Sequence, residues 1–251
     1  LVLKGNGLAN RIEGNAGSNS LYGGGGDDTL IGLGGDDTLY GNAGADSLFG
    51  GAGTNILVGG SDNDTYYLDS VQDQIIEGAA EGARDVAYSS VDYVLAESAR
   101  VEVLSTLVHA STSAINLTGN SQKNELVGNA GNNILDGGGG KDTLIGLGGD
   151  DTYIVDQSDE VIYETVGSGT DTVLTSVNFT LSELSDLEVL RARDAAGTSA
   201  LVLKGNGLAN RIEGNAGNNS LYGGGGDDTL IGLGGHDLIF GGAGTDTFVI
   251  N

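Results

Sequence analysis

A nine-residue period constrains this chain more than any other feature. Written from Gly5 in rows of nine, it reads GNGLANRIE, GNAGSNSLY, GGGGDDTLI, GLGGDDTLY, GNAGADSLF, GGAGTNILV and GGSDNDTYY, through residue 67. Four more rows fill 119–154 and five fill 205–249. In all sixteen rows column one is Gly, column six is Asp or Asn, and column eight is apolar or aromatic. A fixed short period is the mark of stacked repeats rather than of an ordinary globular core. It also changes what the 47 glycines mean, because glycine at this level without a period would suggest disorder.

Each row reads as a turn followed by a very short strand. Glycine in columns one and four is expected where the backbone needs φ > 0, which other residues resist. Columns seven to nine read polar, apolar, mixed and favour β structure, giving a strand about three residues long with one side chain inward. Two rows closed into a coil of about 18 residues can stack on the next coil at about 4.8 Å and bury a ladder of Leu and Ile. The predicted fold is all-β: a narrow parallel β-solenoid with an aliphatic core, in which row n lies beneath row n+2. Column four departs from Gly only at Leu8, Asp62, Gln122 and Leu208, all in end rows. Such rows suit caps, where stacking partners run out.

The chain carries 10 Lys+Arg against 35 Asp+Glu, a formal charge of −25. That balance disfavours nucleic acid and anionic membrane surfaces, which need basic residues. No apolar run approaches the ~18 residues of a membrane-spanning helix. The charge favours cations. In the predicted coil, column-six oxygens stack in pairs, with glycine-turn carbonyls around them. Asp28/Asp46, Asp46/Asp64 and Asp228/Asp246 are pairs of carboxylates. Asn10/Asp28, Asn19/Asp37, Asp37/Asn55, Asn124/Asp142, Asn133/Asp151, Asn210/Asp228 and Asn219/Asp237 are mixed pairs. Carboxylates stacked at about 5 Å repel, and a hard cation with six to eight oxygen ligands relieves the repulsion. Calcium suits such a flexible cage better than magnesium. The expectation is up to about ten calcium ions. The carbonyls of Gly23, Gly32, Gly41, Gly50, Gly137, Gly146, Gly223, Gly232 and Gly241 are expected to complete the sites. The mixed sites should be weaker, because an amide oxygen brings no charge. Asp and Asn are also turn formers, but that role does not explain so large an excess of acid.

The rows GGGGDDTLI (23–31), GLGGDDTLY (32–40) and GGAGTDTFV (241–249) resemble the nonapeptide G-G-x-G-x-D-x-U-x of the repeats-in-toxin (RTX), or hemolysin-type calcium-binding, family. The rows cover 144 of the 251 residues. The resemblance implies a right-handed parallel β-roll, calcium in the turns, export of the parent protein by type I secretion machinery, and a secreted, extracellular or cell-surface location. The chain departs from the motif with Asn at column six in seven rows. Lys141 and His236 also stand at column five, where neighbouring rows carry Asp. Lys141 is expected to push positive charge toward its site.

The predicted organisation is a first roll at 1–67, a β-rich connector at 68–118, a second roll at 119–154, a second connector at 155–204 and a third roll at 205–251. The connectors match each other, SSVDYVLAES (89–98) against TSVNFTLSEL (175–184). They are expected to continue the solenoid with wider coils. Alternation at Val86, Tyr88, Val91, Tyr93 and Leu95 suggests strands, and AESAR and LSELSDLE could each form a helical turn. Residues 1–35 and 201–235 differ only at Ser18 against Asn218, a sign of recent duplication. The chain also lacks an initiator Met, which suggests a piece of something longer.

Catalytic signatures are not found. No G-x-S-x-G elbow is present, neither His109 nor His236 begins H-E-x-x-H, and Asp142 stands where a phosphate loop needs Ser or Thr after Lys141. The expected function is a non-enzymatic, calcium-binding repeat module that folds on meeting extracellular calcium, serving as a rigid spacer and an aid to export. The alternatives are an adhesin or glycan-binding region with polysaccharide as partner, or an accessory module of a secreted hydrolase or epimerase. The column-nine aromatics Tyr22, Tyr40, Phe49, Tyr67, Tyr222 and Phe240 would be the glycan-facing rings.

Overall fold

The computed structural model describes residues 1–77 and 84–249. Residues 78–83 of the first connector and the last two residues of the third predicted roll lie outside the described residues. Among the described residues there is no helix, only strands of two to six residues. The strands stack in parallel as a β-solenoid. The chain divides into two compact units, one of residues 1–109 with 115–127, the other of 110–114 with the chain from 128 onward.

In the first unit the nonapeptide strands alternate between two parallel sheets. One contains Val2–Lys4, Ser20–Gly25, Thr38–Ala43, Ile56–Ser61 and Gln74–Ile76. The other runs from Arg11–Asn15 through Thr29–Leu33, Ser47–Phe49 and Thr65–Leu68 to the connector strands Val86–Ser89 and Val103–Thr106. In the second unit one ladder runs from Ile134–Asp136 through Thr152–Val155, Thr172–Thr175 and Val189–Ala192 to Arg211–Glu213, Thr229–Ile231 and Thr247–Val249. Its second ladder joins Phe179–Thr180, Val202–Lys204, Ser220–Gly225 and Leu238–Ala243.

The register is the predicted one. Leu21 pairs with Leu39 and Leu39 with Leu57; Leu30 pairs with Leu48 and Leu48 with Tyr66. Because side chains alternate across a strand, this register turns every column-eight residue to the same inner face. Leu21, Leu30, Leu39, Leu48, Leu57 and Tyr66 are fully buried, as are Leu135, Leu144, Tyr153, Ile212, Leu221 and Leu230. The last of the series, Phe248, is exposed.

The connector strands continue these ladders with altered coil lengths. Thr65 pairs with Val86, Val86 with Val103 and Val103 with Glu125, which are steps of 21, 17 and 22 residues. Thr152 pairs with Thr172, Thr172 with Val189 and Val189 with Arg211, steps of 20, 17 and 22. The middle coil is thus narrower than 18 and its neighbours are wider. The predicted helical turns are single chain reversals, closed by Ala99 N–H to the Ala96 carbonyl at 2.9 Å and by Ser185 N–H to the Ser182 carbonyl at 3.3 Å.

One expectation about glycine is overturned. Column four does take positive φ, at Gly26, Gly35, Gly44 and Gly53 among others. Column one does not; the second left-handed position is column two, occupied by Gly24, Gly51 and Gly60 but also by Leu33, Asn42, Leu147 and Leu233. Column-one glycine has a different cause, which lies in the site.

Candidate metal centre

The column-six side chains point inward at the turn and are mostly buried. Asn55 and eight of the aspartates are anchored the same way: one oxygen accepts the backbone N–H of the column-six residue one coil earlier. Asp28 Oδ1 accepts from Asn10 (2.6 Å), Asp37 from Asn19 (2.7 Å), Asp46 from Asp28 (2.7 Å), Asp64 from Asp46 (2.7 Å) and Asn55 from Asp37 (3.0 Å). In the second unit the bonds join Asn133 to Asp151, Asn210 to Asp228, Asn219 to Asp237 and Asp228 to Asp246, at 2.6 to 3.1 Å. Nine of the ten predicted pairs are therefore adjacent. The tenth, Asn124/Asp142, has its members in different units, with Asn124 Nδ2 donating to the Val101 carbonyl at 2.8 Å.

The second carboxylate oxygen is the one the fold leaves without a partner. Oδ2 of Asp28, Asp37, Asp46, Asp64, Asp151 and Asp228 is buried with no hydrogen-bond partner. A methyl group on Gly23 would strike Asp28 Oδ2 and the Gly41 carbonyl oxygen; one on Gly32 would strike Asp37 Oδ2 and the Gly50 carbonyl. The same holds for Gly41 with Asp46 and the Gly59 carbonyl, and for Gly223 with Asp228 and the Gly241 carbonyl. Column one is glycine because the carboxylate of its own row and the carbonyl of the next coil converge on the space a Cβ would fill. The Gly23, Gly32, Gly146, Gly223 and Gly232 carbonyls lie likewise beside Asn10, Asn19, Asn133, Asn210 and Asn219. The Gly59 carbonyl, absent from the sequence expectation, belongs with them.

Burial and mutual repulsion show in the acidities. Burial, with the Asp28 carboxylate nearby, pushes Asp46 up to about 6. Burial, with Asp46, Glu77 and Asp85 nearby, pushes Asp64 up to about 8. Asp151 rises to about 7, from burial and from Glu164. Asp228 is raised, again chiefly by burial. An unpartnered buried carboxylate is costly, and hard oxygen donors of this kind fit calcium.

The structure adds residues that the nonapeptide pattern did not reveal. Asp73 accepts from Asn55 N–H, Asp85 from Asp64, Glu102 from Asp85, Asp171 from Asp151 and Glu188 from Asp171. The acidic ladder thus runs on into both connectors. A signal existed: Asp85-Val-Ala-Tyr and Asp171-Thr-Val-Leu repeat the order of columns six to nine. A second, exposed ladder runs the opposite way at column five, where Asp27, Asp36 and Asp227 each accept the N–H 18 residues ahead.

One expectation changes. Lys141 does not press on a site; its exposed ammonium pairs with Asp159 at 3.7 Å. The column-nine aromatics stack in pairs along their ladders. Tyr22 stacks on Tyr40 (centroids 4.8 Å apart), Phe49 on Tyr67 (3.9 Å) and Tyr222 on Phe240 (5.2 Å). Lys4 and Lys204 sit over the Tyr22 and Tyr222 rings.

The model of the family described as RTX calcium-binding nonapeptide repeat (four copies) matches residues 4–39, 31–66, 118–153, 204–239 and 222–249. No curated protein matches the chain.

Proposed function

The chain belongs to the RTX calcium-binding nonapeptide repeat family, and from that premise we propose that it is a calcium-triggered folding module of a secreted or surface protein. It stays unfolded where calcium is scarce, which suits passage through type I secretion machinery, and becomes a rigid, non-catalytic spacer outside the cell. The observation that carries this reading is the row of buried Oδ2 atoms without partners, of which those of Asp28, Asp37, Asp46 and Asp228 each lie beside a glycine carbonyl. Without a cation, self-repulsion at −25 and the entropy of ordering so much glycine oppose the fold. With calcium, the same oxygens become ligands. The paired positions provide for up to about ten ions, the Asp–Asp pairs binding more tightly than the mixed ones.

Of the alternatives, glycan binding drew on the column-nine rings. Those rings stack on one another, which favours a packing role for them. The test of the export-linked reading is the calcium midpoint of compaction, measured as hydrodynamic radius across a titration. We expect a midpoint near 10⁻⁴–10⁻³ M, the range of extracellular modules. Compaction complete at cytosolic calcium would defeat the reading.

A further inference from the structure

Column eight carries tyrosine in two rows only, at Tyr66 and Tyr153, each in the last row before a connector. Both side chains are fully buried. Each donates its hydroxyl to a glutamate eleven residues on, Tyr66 to Glu77 and Tyr153 to Glu164. The glutamates lie outside the nonapeptide pattern, and they bring a third carboxylate to the acidic ladder. In the second unit, ligand oxygens of Asp151, Glu164 and Asp171 all lie within 4.8 Å of one another.

The cluster is aimed at one place. A methyl group on Gly146 would strike Asp151 Oδ2, Glu164 Oε1 and the Tyr153 hydroxyl together. Asp151 is 1% exposed and Asp171 0%, and Oδ2 of each has no hydrogen-bond partner. The arrangement recurs in the first unit, where the same hypothetical methyl on Gly59 would strike Asp64 Oδ2, Glu77 Oε1 and the Tyr66 hydroxyl. There Asp85 takes the place of Asp171, accepting Asp64 N–H at 2.7 Å. Three carboxylates gathered in a buried place need positive charge to be stable.

We propose that Asp151, Glu164 and Asp171 form a cation site of a second kind, at the seam between nonapeptide stack and connector, with Asp64, Glu77 and Asp85 as its counterpart. The ion is a hard divalent cation of the calcium class, because the donors are carboxylate oxygens. It holds the first connector coil to the last nonapeptide coil, and the tyrosine hydroxyl fixes the glutamate for it. The proposal rests on the calcium reading above only for the identity of the ion. Three carboxylates outnumber those of any column-six pair, so this site fills at lower calcium than the mixed pairs.

Calcium bound per full chain, counted by equilibrium dialysis at saturating calcium, tests it. Glu164→Gln should bind one ion fewer than wild type, and Glu77→Gln/Glu164→Gln two fewer, with the β-sheet circular dichroism kept. An unchanged count overturns the junction site and leaves the column-six reading standing; a wild-type chain that binds no calcium overturns both. A second measurement covers the case in which the glutamine variants do not fold. Terbium, a hard-cation probe excited through tyrosine, should lose more emission in Tyr66→Phe/Tyr153→Phe than in Tyr22→Phe/Tyr222→Phe. Equal losses overturn the proposal.

Discussion

Replacing Gly23 by alanine would probe the cradle directly. Gly23 does not have positive φ, so the backbone itself accepts alanine. The added methyl, however, would meet Asp28 Oδ2 and lie 2.7 Å from the Gly41 carbonyl oxygen. Neither neighbour can move freely. The carbonyl is main chain of the next coil, and Asp28 is held through Oδ1 by Asn10 N–H at 2.6 Å. Overpacking a rigid interior costs about 1–3 kcal/mol. Losing one ion of Kd ~10⁻⁴ M at millimolar calcium removes about 1.4 kcal/mol more. Gly23→Ala should therefore lose about 2–4 kcal/mol in calcium and bind at least one ion fewer. Gly25→Ala is the control, because it also lacks positive φ and its methyl would find its nearest atom at 3.7 Å. It should be neutral or slightly stabilising. Urea unfolding at fixed calcium, followed by circular dichroism and paired with dialysis, reads both quantities. If Gly23→Ala keeps the midpoint and calcium count of Gly25→Ala, the carboxylate–carbonyl cradle is not where the ion binds.

Column-six charge should grade the sites. Asp46→Ala, between Asp28 and Asp64 in the ladder, should cost more calcium-induced folding than Asp37→Ala, between Asn19 and Asn55; equal losses by calorimetric titration would count against the pairing. Acid should partly replace calcium. Asp46 at about 6, Asp151 and Asp171 at about 7 and Asp64 at about 8 lie above the ~3.9 of an unfolded chain, so the folded state binds more protons. The resulting stability is complete below about pH 4 and is lost as pH rises through 6 to 8. In EDTA the β signal should grow on acidification from pH 8 to 5, and a falling signal would contradict the assignment. Folding should begin where carboxylate pairs are densest, so hydrogen exchange across a calcium titration should protect 23–67 before 119–145. The reverse order would mean that something other than carboxylate charge ranks the rolls.

The coil, its register and its core were legible because they are periodic. One apolar residue in each nine, with a strand between turns, places Leu21, Leu39 and Leu57 in one ladder and leaves little freedom. The reason for column-one glycine was not legible. It depends on a carboxylate five residues ahead and a carbonyl one coil away, such as Asp28 and Gly41 around Gly23. Glycine frequency pointed rightly to column four but wrongly to column one for φ > 0; the second left-handed position is column two, where Leu33, Leu147 and Leu233 stand in some rows and glycine in others. The acidic ladder beyond the nonapeptides was hidden for another reason. Asp85 and Asp171 follow Asp64 and Asp151 at 21 and 20 residues, so a search at a spacing of 18 passes over them. Glu77 and Glu164 carry no periodic signal at all, since they reach the site from segments whose only sequence mark is their distance from a buried tyrosine.

The central claim is that calcium is part of the fold. Far-ultraviolet circular dichroism of the full chain at neutral pH, first in EDTA and then with millimolar calcium added, tests it most directly. The account predicts a disordered spectrum in EDTA and a β-sheet spectrum that appears with calcium and disappears when calcium is chelated again. A β-sheet spectrum already present in EDTA, and unchanged by calcium, would contradict it.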